Sequence, residues 1–318
     1  MNDFNWTPGH GVDANALERM RKHFSRPKES MGEAWFNTDS RRMFDELHRD
    51  LASISVRELM EPLVEIASGT GSFGPMPEWH SWYHYLLASL LPRSHECFVD
   101  YLLEPLITAF IAQYPNGIYR RPYQEFEQDV LSTLGRCMMD SVCWSGDDIA
   151  IGRVLHRSNN NPNKVWCRWD ASGDLSASMF FCLKYLPEQQ VQAWMRSVLA
   201  IPSPHWRAQI LVWAVGAHAL LLGNQRWPSE WDVKDYPHIG WDWSHCLRPE
   251  LAASDESGAP PLGCLVPAGN RSQALAALAN HFTEEVYLDW LASFSKFPYL
   301  EAELGYLPAT FESRYVRR

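Results

Sequence analysis

The sequence of 318 residues lacks the short motifs that mark the common enzyme and cofactor-binding families. It contains no GxxxxGKS or GxxxxGKT phosphate loop, no GxGxxG fingerprint after a strand and no GxSxG nucleophile elbow. We therefore predict no cofactor, and local motifs assign no catalytic residue. The seven cysteines include no CxxC pair and are irregularly spaced. This pattern favours buried, reduced thiols over a disulfide framework.

Long apolar runs and a surplus of basic residues are also missing. The most apolar run, residues 210–222, is about 13 residues long, which is too short to span a bilayer. The N-terminus does not resemble a signal peptide, so we expect no membrane association and a cytoplasmic location. Lys and Arg number 28 against 38 for Asp and Glu, a net charge of −10. An acidic chain is poorly suited to nucleic acid and better suited to a basic protein partner.

Helical periodicity dominates what is present. Apolar stripes predict one helix over residues 43–54 and a second from Val56, with Ser55 as its N-cap. Further helices are predicted over residues 78–91 and 95–113, from Pro122, after Gly173 and Pro187, and over residues 204–222, 272–282 and 284–294. Thr283 is the capping residue of the last of these, and Asp147 and Asp148 are expected at another helix start. Only residues 163–169 read as extended, so we predict an all-α fold of about ten to twelve helices.

Two segments of the N-terminal part resemble each other. Residues 56–63 and 99–106 are identical at five of eight positions, at an offset of 43 residues, and each carries an internal proline. The segment resembles the first helix of a HEAT or armadillo-type repeat, whose period is about 40–47 residues. The resemblance covers residues 40–145 and implies a right-handed stack of helical hairpins. The alternative is an irregular helical bundle in which the match arises by chance.

The chain is expected to form one helical domain over residues 1–318. A sub-division into a repeat-like part, 1–145, and a C-terminal part, 146–318, is the alternative. Residues 69–77 are predicted to form a turn-rich loop because they contain three glycines and two prolines. Residues 224–270 form a longer irregular segment rich in Trp and Pro, and loops of that length are often functional.

Fifteen tryptophans are present, and seven of them lie between Trp194 and Trp243. Trp194, Trp206 and Trp213 fall on core-facing positions of predicted helices. The others lie in the irregular segment, where an aromatic surface for a partner or a packed plug is expected. The predicted binding residues are Trp227, Trp231, Tyr236, Trp241 and Trp243.

Two groups of side chains are candidates for a metal or an acid/base site. His238, Asp242 and His245 combine imidazole and carboxylate groups, but their spacing matches no known motif. His80 and His84 lie one helical turn apart, without the glutamate of an HExxH site. Packing of aromatic and imidazole rings explains both groups more simply, so no metal site is favoured.

Three classes of function follow. The leading hypothesis is a non-catalytic protein that binds a basic protein partner, for example an immunity-type protein that neutralises a toxin. The second is an enzyme with a metal or acid/base site at one of the two histidine groups. The third is a binder of a flat or sugar-like small molecule in an aromatic pocket.

Overall fold

The computed structural model describes residues 4–35, 40–95, 102–150, 171–231, 237, 239–254, 258 and 260–317. Within these ranges the fold is all-α, as predicted, with one short hairpin. The helices are α1 (Ala14–His23), α2 (Val56–Phe73), α3 (Pro77–Leu90), α4 (Leu103–Gln113), α5 (Phe126–Ser132), α6 (Gly173–Tyr185), α7 (Glu188–Ala200), α8 (Pro204–Gly216), α9 (His218–Leu222), α10 (Pro249–Ser254), α11 (Ala268–His281), α12 (Glu284–Phe294), α13 (Pro298–Leu304) and α14 (Leu307–Tyr315). The strands β1 (Trp144–Ser145) and β2 (Asp148–Ile149) pair antiparallel.

Two helix starts follow directly from capping residues in the sequence. Ser55 and Glu58 form a reciprocal capping box at the start of α2, which satisfies two backbone N–H groups that have no helical partner. Thr283 accepts a hydrogen bond from the backbone N–H of Val286 at 3.3 Å and caps α12. Both N-cap predictions are confirmed.

Helices α4 and α6 form the centre of the molecule. Every residue of both helices is buried, and α4 packs between α2 and α6. Helix α8 is also apolar on almost all sides and packs against α12, α13 and α14. A helix without a polar face is stable only when other elements cover it all round, so these three helices fix the core.

The N-terminal segment joins the two halves of the chain. The indole of Trp6 lies edge-on to Trp194 and Trp206, with ring centroids 5.4 and 5.9 Å apart. Its Nε1 donates a hydrogen bond to the carbonyl oxygen of Gly135 at 2.8 Å. One hydrophobic cluster therefore includes residues from both sides of the sub-division considered at position 145.

Three local predictions are wrong. Residues 43–54 contain two 3₁₀ turns, Asp45–His48 and Leu51–Ser53, instead of an α-helix. Helix α2 continues through the predicted loop at 69–77 as far as Phe73, because its glycines lie where other segments pack closely. Asp147 and Asp148 lie in the hairpin, whose turn uses Gly146 at a positive φ of 62°. The extended segment predicted at 163–169 lies outside the described residues.

The structure does not confirm a HEAT-like repeat. Pro62 lies in the interior of α2, where it removes a helical hydrogen bond. Pro105 lies in the first turn of α4, where the backbone N–H has no helical partner in any case. The two prolines therefore do not play equal structural roles.

Candidate functional site

Most of the tryptophans are core residues. Trp194, Trp206 and Trp213 have no exposed surface, which confirms their predicted packing role. Trp227 and Trp241 are also buried, so they fill space inside the molecule. Trp231 and Trp243 are partly buried and pack against the same core. Tyr236 and His238 lie outside the described residues.

Trp241 attaches the irregular segment to the central helices. Its Nε1 donates a hydrogen bond to the hydroxyl of Thr108 on α4 at 2.8 Å. Its ring stacks on Phe180 of α6, with centroids 5.8 Å apart and planes 19° apart. A buried indole with its N–H satisfied is a stable core arrangement.

Two buried carboxyl groups lie beside this segment, at the N-termini of α4 and α6. Glu104 accepts a hydrogen bond from the backbone N–H of Trp243 at 3.0 Å. A side chain at Gly173 would collide with the Glu104 carboxyl group, so the glycine allows the close approach. Burial raises the pKa of Glu104 well above its usual range, and the nearby Asp242 and Asp174 add to this effect. Burial also raises the pKa of Asp174 to about 7.

The raised pKa of Asp174 predicts a loss of stability as the pH rises. The unfolded group titrates near 3.8 and the folded group near 7, so its contribution is complete below about pH 4 and is lost by about pH 7. Since one pKa unit is worth about 1.4 kcal/mol and the shift from 3.8 to about 7 is about three units, we expect Asp174→Asn to be more stable than wild type by up to about 4 kcal/mol at pH 8. The difference should vanish at pH 4. Urea unfolding at both pH values measures it.

The exposed Asp147 provides the control for this experiment. Asp147→Asn removes a carboxylate that is in contact with solvent and should leave the pH dependence of wild type unchanged. An Asp174→Asn variant whose stability follows wild type at every pH would show that Asp174 titrates normally.

A hydrogen-bonded network of four side chains lies elsewhere, between β2, α8 and α13. Asp148 accepts hydrogen bonds from the hydroxyl of Ser203 and from Nδ1 of His205, the latter at 2.5 Å. Because the carboxylate only accepts, Nδ1 carries a proton, and in the neutral imidazole Nε2 accepts from the hydroxyl of Tyr299. The imidazole is buried, and Phe297 packs against it with centroids 4.7 Å apart.

The order carboxylate, imidazole, hydroxyl is that of a catalytic triad. Here, however, burial and the charge of Asp148 raise the pKa of Tyr299 to about 12. The phenol is therefore neutral near pH 7. This indicates a hydrogen-bonded network that stabilises the fold, not an activated nucleophile. Burial alone would raise the pKa of Asp148, but the hydrogen bonds from His205 and Ser203 outweigh it and lower the pKa.

Removal of the Asp148 carboxylate should weaken this hydrogen-bonded network. We expect Asp148→Asn to lower the free energy of unfolding by about 1–3 kcal/mol, because hydrogen bonds to a charged group are lost. The lowered pKa means that wild type keeps this contribution above about pH 4 and loses it as the pH falls further. Thermal unfolding at pH 7 and pH 3 measures both effects. Asp147→Asn, its exposed neighbour, should change neither value; equal losses in the two variants would contradict the assignment.

The predicted histidine groups do not assemble a metal site in the described residues. His80 binds the side-chain oxygen of Gln113 at 3.0 Å, and His84 binds the hydroxyl of Tyr114 at 2.6 Å. Burial lowers the pKa of both imidazoles. His245 is exposed and binds the backbone carbonyl oxygen of Asp242. Across the described ranges, no three His, Cys, Asp or Glu side chains are grouped to hold a metal ion.

One tryptophan differs from the rest. Trp35 is 58% exposed, and among the described tryptophans it alone falls in the exposed class. Its ring lies edge-on to Phe73, which is 49% exposed, with centroids 5.2 Å apart and planes at 75°. Exposed aromatic rings in contact with each other are typical of binding surfaces.

The backbone that carries Trp35 is held by hydrogen bonds on several sides. The carbonyl oxygen of Gly32 accepts from Nε1 of Trp79 at 3.1 Å, and its N–H donates to the carboxylate of Glu78. The N–H of Glu33 donates to the carbonyl oxygen of Arg42 at 3.0 Å. Trp35 is therefore exposed on an ordered segment.

One face of α2 supports this segment along its length. Glu65, Gly69 and Phe73 are spaced four residues apart and share that face. Glu65 accepts the N–H of Ala34 at 3.1 Å. A Cβ at Gly69 would lie 2.6 Å from the Cβ of Ala34, so only glycine allows this contact. We call Trp35, Phe73, Glu33 and Glu65 the aromatic face.

The aromatic face has two carboxylates without a cationic partner. Glu33 and Glu65 each accept a backbone N–H and form no salt bridge within the described residues. The nearby arginines are already paired, Arg41 with Glu78 at 2.6 Å and Arg42 with Glu61 at 3.0 Å. The local surface is therefore aromatic and acidic.

The irregular segment 224–270, which contains the predicted binding residues, also contacts α2. A Cβ at Gly71 of α2 would lie 2.7 Å from the carbonyl oxygen of Cys246, so the 3₁₀ turn Asp242–Cys246 packs on α2. Positions 71 and 73 are about 200° apart around a helix, so this contact is on the opposite side of α2 from Phe73. The half-buried Trp243 and the exposed His245 belong to this turn, with ring centroids 5.8 Å apart.

Comparison of the chain with family models, curated proteins and solved structures gives no match. In the described ranges, no helix combines the length and apolar character needed to cross a membrane.

Proposed function

We propose that this protein binds a basic protein partner through the aromatic face. The observation that carries the proposal is Trp35, which is 58% exposed on a hydrogen-bonded segment while the other described tryptophans are buried or partly buried. An immunity-type protein that neutralises a basic toxin is one specific form of this function.

Exposed aromatic side chains on ordered backbone favour tight association. Tryptophan is enriched among the residues that contribute most to protein interfaces, because it buries a large apolar area at small entropic cost. The hydrogen bonds that hold residues 32–34 reduce the ordering that binding would otherwise require. The edge-on contact with Phe73 restricts the indole further.

The charge of the chain supports a basic partner. The net charge is −10, and Glu33 and Glu65 add carboxylates that form no salt bridge with any described residue. Complementary charge accelerates encounter and disfavours acidic partners. Binding should therefore weaken as the salt concentration rises.

Differential capture tests this function. Immobilised wild type and the variants Trp35→Ala and Leu288→Ala are exposed to the same native lysate, and retained proteins are quantified. Leu288 on α12 is 54% exposed and provides a matched control for the loss of an exposed apolar side chain. The proposal expects a protein of basic isoelectric point that wild type and Leu288→Ala retain equally and Trp35→Ala does not. Equal retention by all three chains would refute the aromatic face as the docking surface.

Self-association is a separate outcome of the same variants. Light scattering of the purified chain over a range of concentrations detects a dimer directly. A dimer that forms in wild type and is lost in Trp35→Ala would identify a second copy of the chain as the occupant. That result would contradict the proposal of a basic partner.

A further inference from the structure

We infer that the group received by the aromatic face is an arginine side chain of the partner, stacked on Trp35 and bound by the carboxylate of Glu65. This inference rests on the proposed function and specifies the chemistry of its partner. It is carried by the fixed position of Glu65, by the exposed indole and by two arrangements of the same kind inside the molecule.

Glu65 is a positioned acceptor with one oxygen still available. Its Oε2 accepts the backbone N–H of Ala34 at 3.1 Å, which fixes the carboxylate one residue from Trp35. Its Oε1 has no hydrogen-bond partner in the described part of the chain, and the side chain is only partly buried. The carboxylate therefore presents an available acceptor on the backbone segment that carries the exposed ring.

An indole face and a carboxylate together suit a guanidinium group. Guanidinium is planar and weakly hydrated, so it can stack on an aromatic ring while its N–H groups donate in the plane to a carboxylate. The ammonium group of lysine is compact and strongly hydrated, and it cannot make both contacts with the same geometry. The pair Trp35 and Glu65 should thus prefer arginine.

The chain already contains this arrangement within its own fold. Arg207 lies over the ring of Trp290, 5.5 Å from its centroid, and donates to Asp289 at 2.9 Å. Arg42 lies 4.5 Å from the ring centroid of Phe44 and donates to Glu61 at 3.0 Å. In both cases one arginine bridges an aromatic ring and a carboxylate. The aromatic face has the ring and the carboxylate and lacks an arginine of its own in the described residues.

Peptide titration monitored at Trp35 tests the inference. The probes are two flexible 12-residue Gly/Ser peptides of equal charge, one with four arginines and one with four lysines. The indole N–H signal of Trp35, identified by its absence from Trp35→Phe, reports binding in a ¹⁵N-labelled chain. We expect the arginine peptide to shift this signal and to bind at least about fivefold more tightly than the lysine peptide.

Variants of the carboxylate separate arginine recognition from general charge attraction. Glu65→Gln should remove most of the preference for arginine, whereas Glu285→Gln, an exposed position on α12, should keep it. Equal affinity for the two peptides, or a Trp35 signal that does not respond to the arginine peptide, would overturn the inference. If capture of a basic partner still depends on Trp35, equal affinity overturns the arginine assignment alone and the proposed function stands. Capture that is independent of Trp35 would overturn both.

Discussion

Replacement of Trp241 by alanine is expected to lower the free energy of unfolding by about 3–5 kcal/mol, the range for removal of a large buried aromatic side chain. The indole is 4% exposed, stacks on Phe180 and donates to Thr108 on α4. Its removal leaves a cavity between the two central helices and removes the hydrogen bond that the Thr108 hydroxyl accepts. Urea unfolding followed by circular dichroism measures the loss.

Two further variants divide this effect into its parts. Trp241→Phe keeps most of the packing and removes the hydrogen bond, so a loss of about 1–2 kcal/mol is expected from that variant. Trp243→Ala removes a partly buried ring and should cost less than Trp241→Ala. A decrease in the free energy of unfolding of less than about 1 kcal/mol for Trp241→Ala would contradict the buried position of Trp241 and would indicate that it lies at the surface.

Trp35→Ala, in contrast to Trp241→Ala, is expected to weaken binding while leaving stability nearly unchanged. Its stability should stay within about 0.5 kcal/mol of wild type, since the side chain is largely exposed. Its affinity for the captured basic partner should fall by about 30- to 1000-fold, which corresponds to about 2–4 kcal/mol for a central interface residue. Calorimetry with the purified partner measures the affinity, and thermal unfolding measures the stability.

The control for this prediction is the exposed apolar residue Leu288. Leu288→Ala should retain the affinity of wild type and a similar stability. Phe73→Ala should weaken binding as well, because Phe73 orients the indole from the end of α2. An affinity change below threefold in Trp35→Ala would mean that Trp35 lies outside the contact.

Features that depend on local sequence could be predicted. Helices α6 and α7 begin near Gly173 and Pro187 as expected, because helix breakers and caps act on their own neighbours. The burial of Trp194, Trp206 and Trp213 follows from the helical spacing of apolar residues. The glycines at 69–73 predict a loop, but this segment is helical because tertiary contact with Ala34 overrides the low helix propensity of glycine.

Features that depend on contacts between residues far apart in the sequence could not be predicted. Asp148, His205 and Tyr299 are separated by 57 and 94 positions, and no sequence pattern links them. The exposure of Trp35 has no periodic signal, since the segment that carries it is held by Glu65 and Trp79 from other helices. The burial of Trp227 and Trp241 could not be predicted from their spacing for the same reason, because it depends on the whole fold.

Hydrogen exchange of the chain with and without its captured partner tests the central claim most directly. Backbone amides report where a partner covers the surface, and the measurement does not depend on any substitution. We expect added protection to be concentrated in residues 31–35 and at the C-terminal end of α2, with little change in the buried helices α4 and α6. Protection confined to other surfaces, with residues 31–35 unaffected, would contradict the aromatic face as the site of binding.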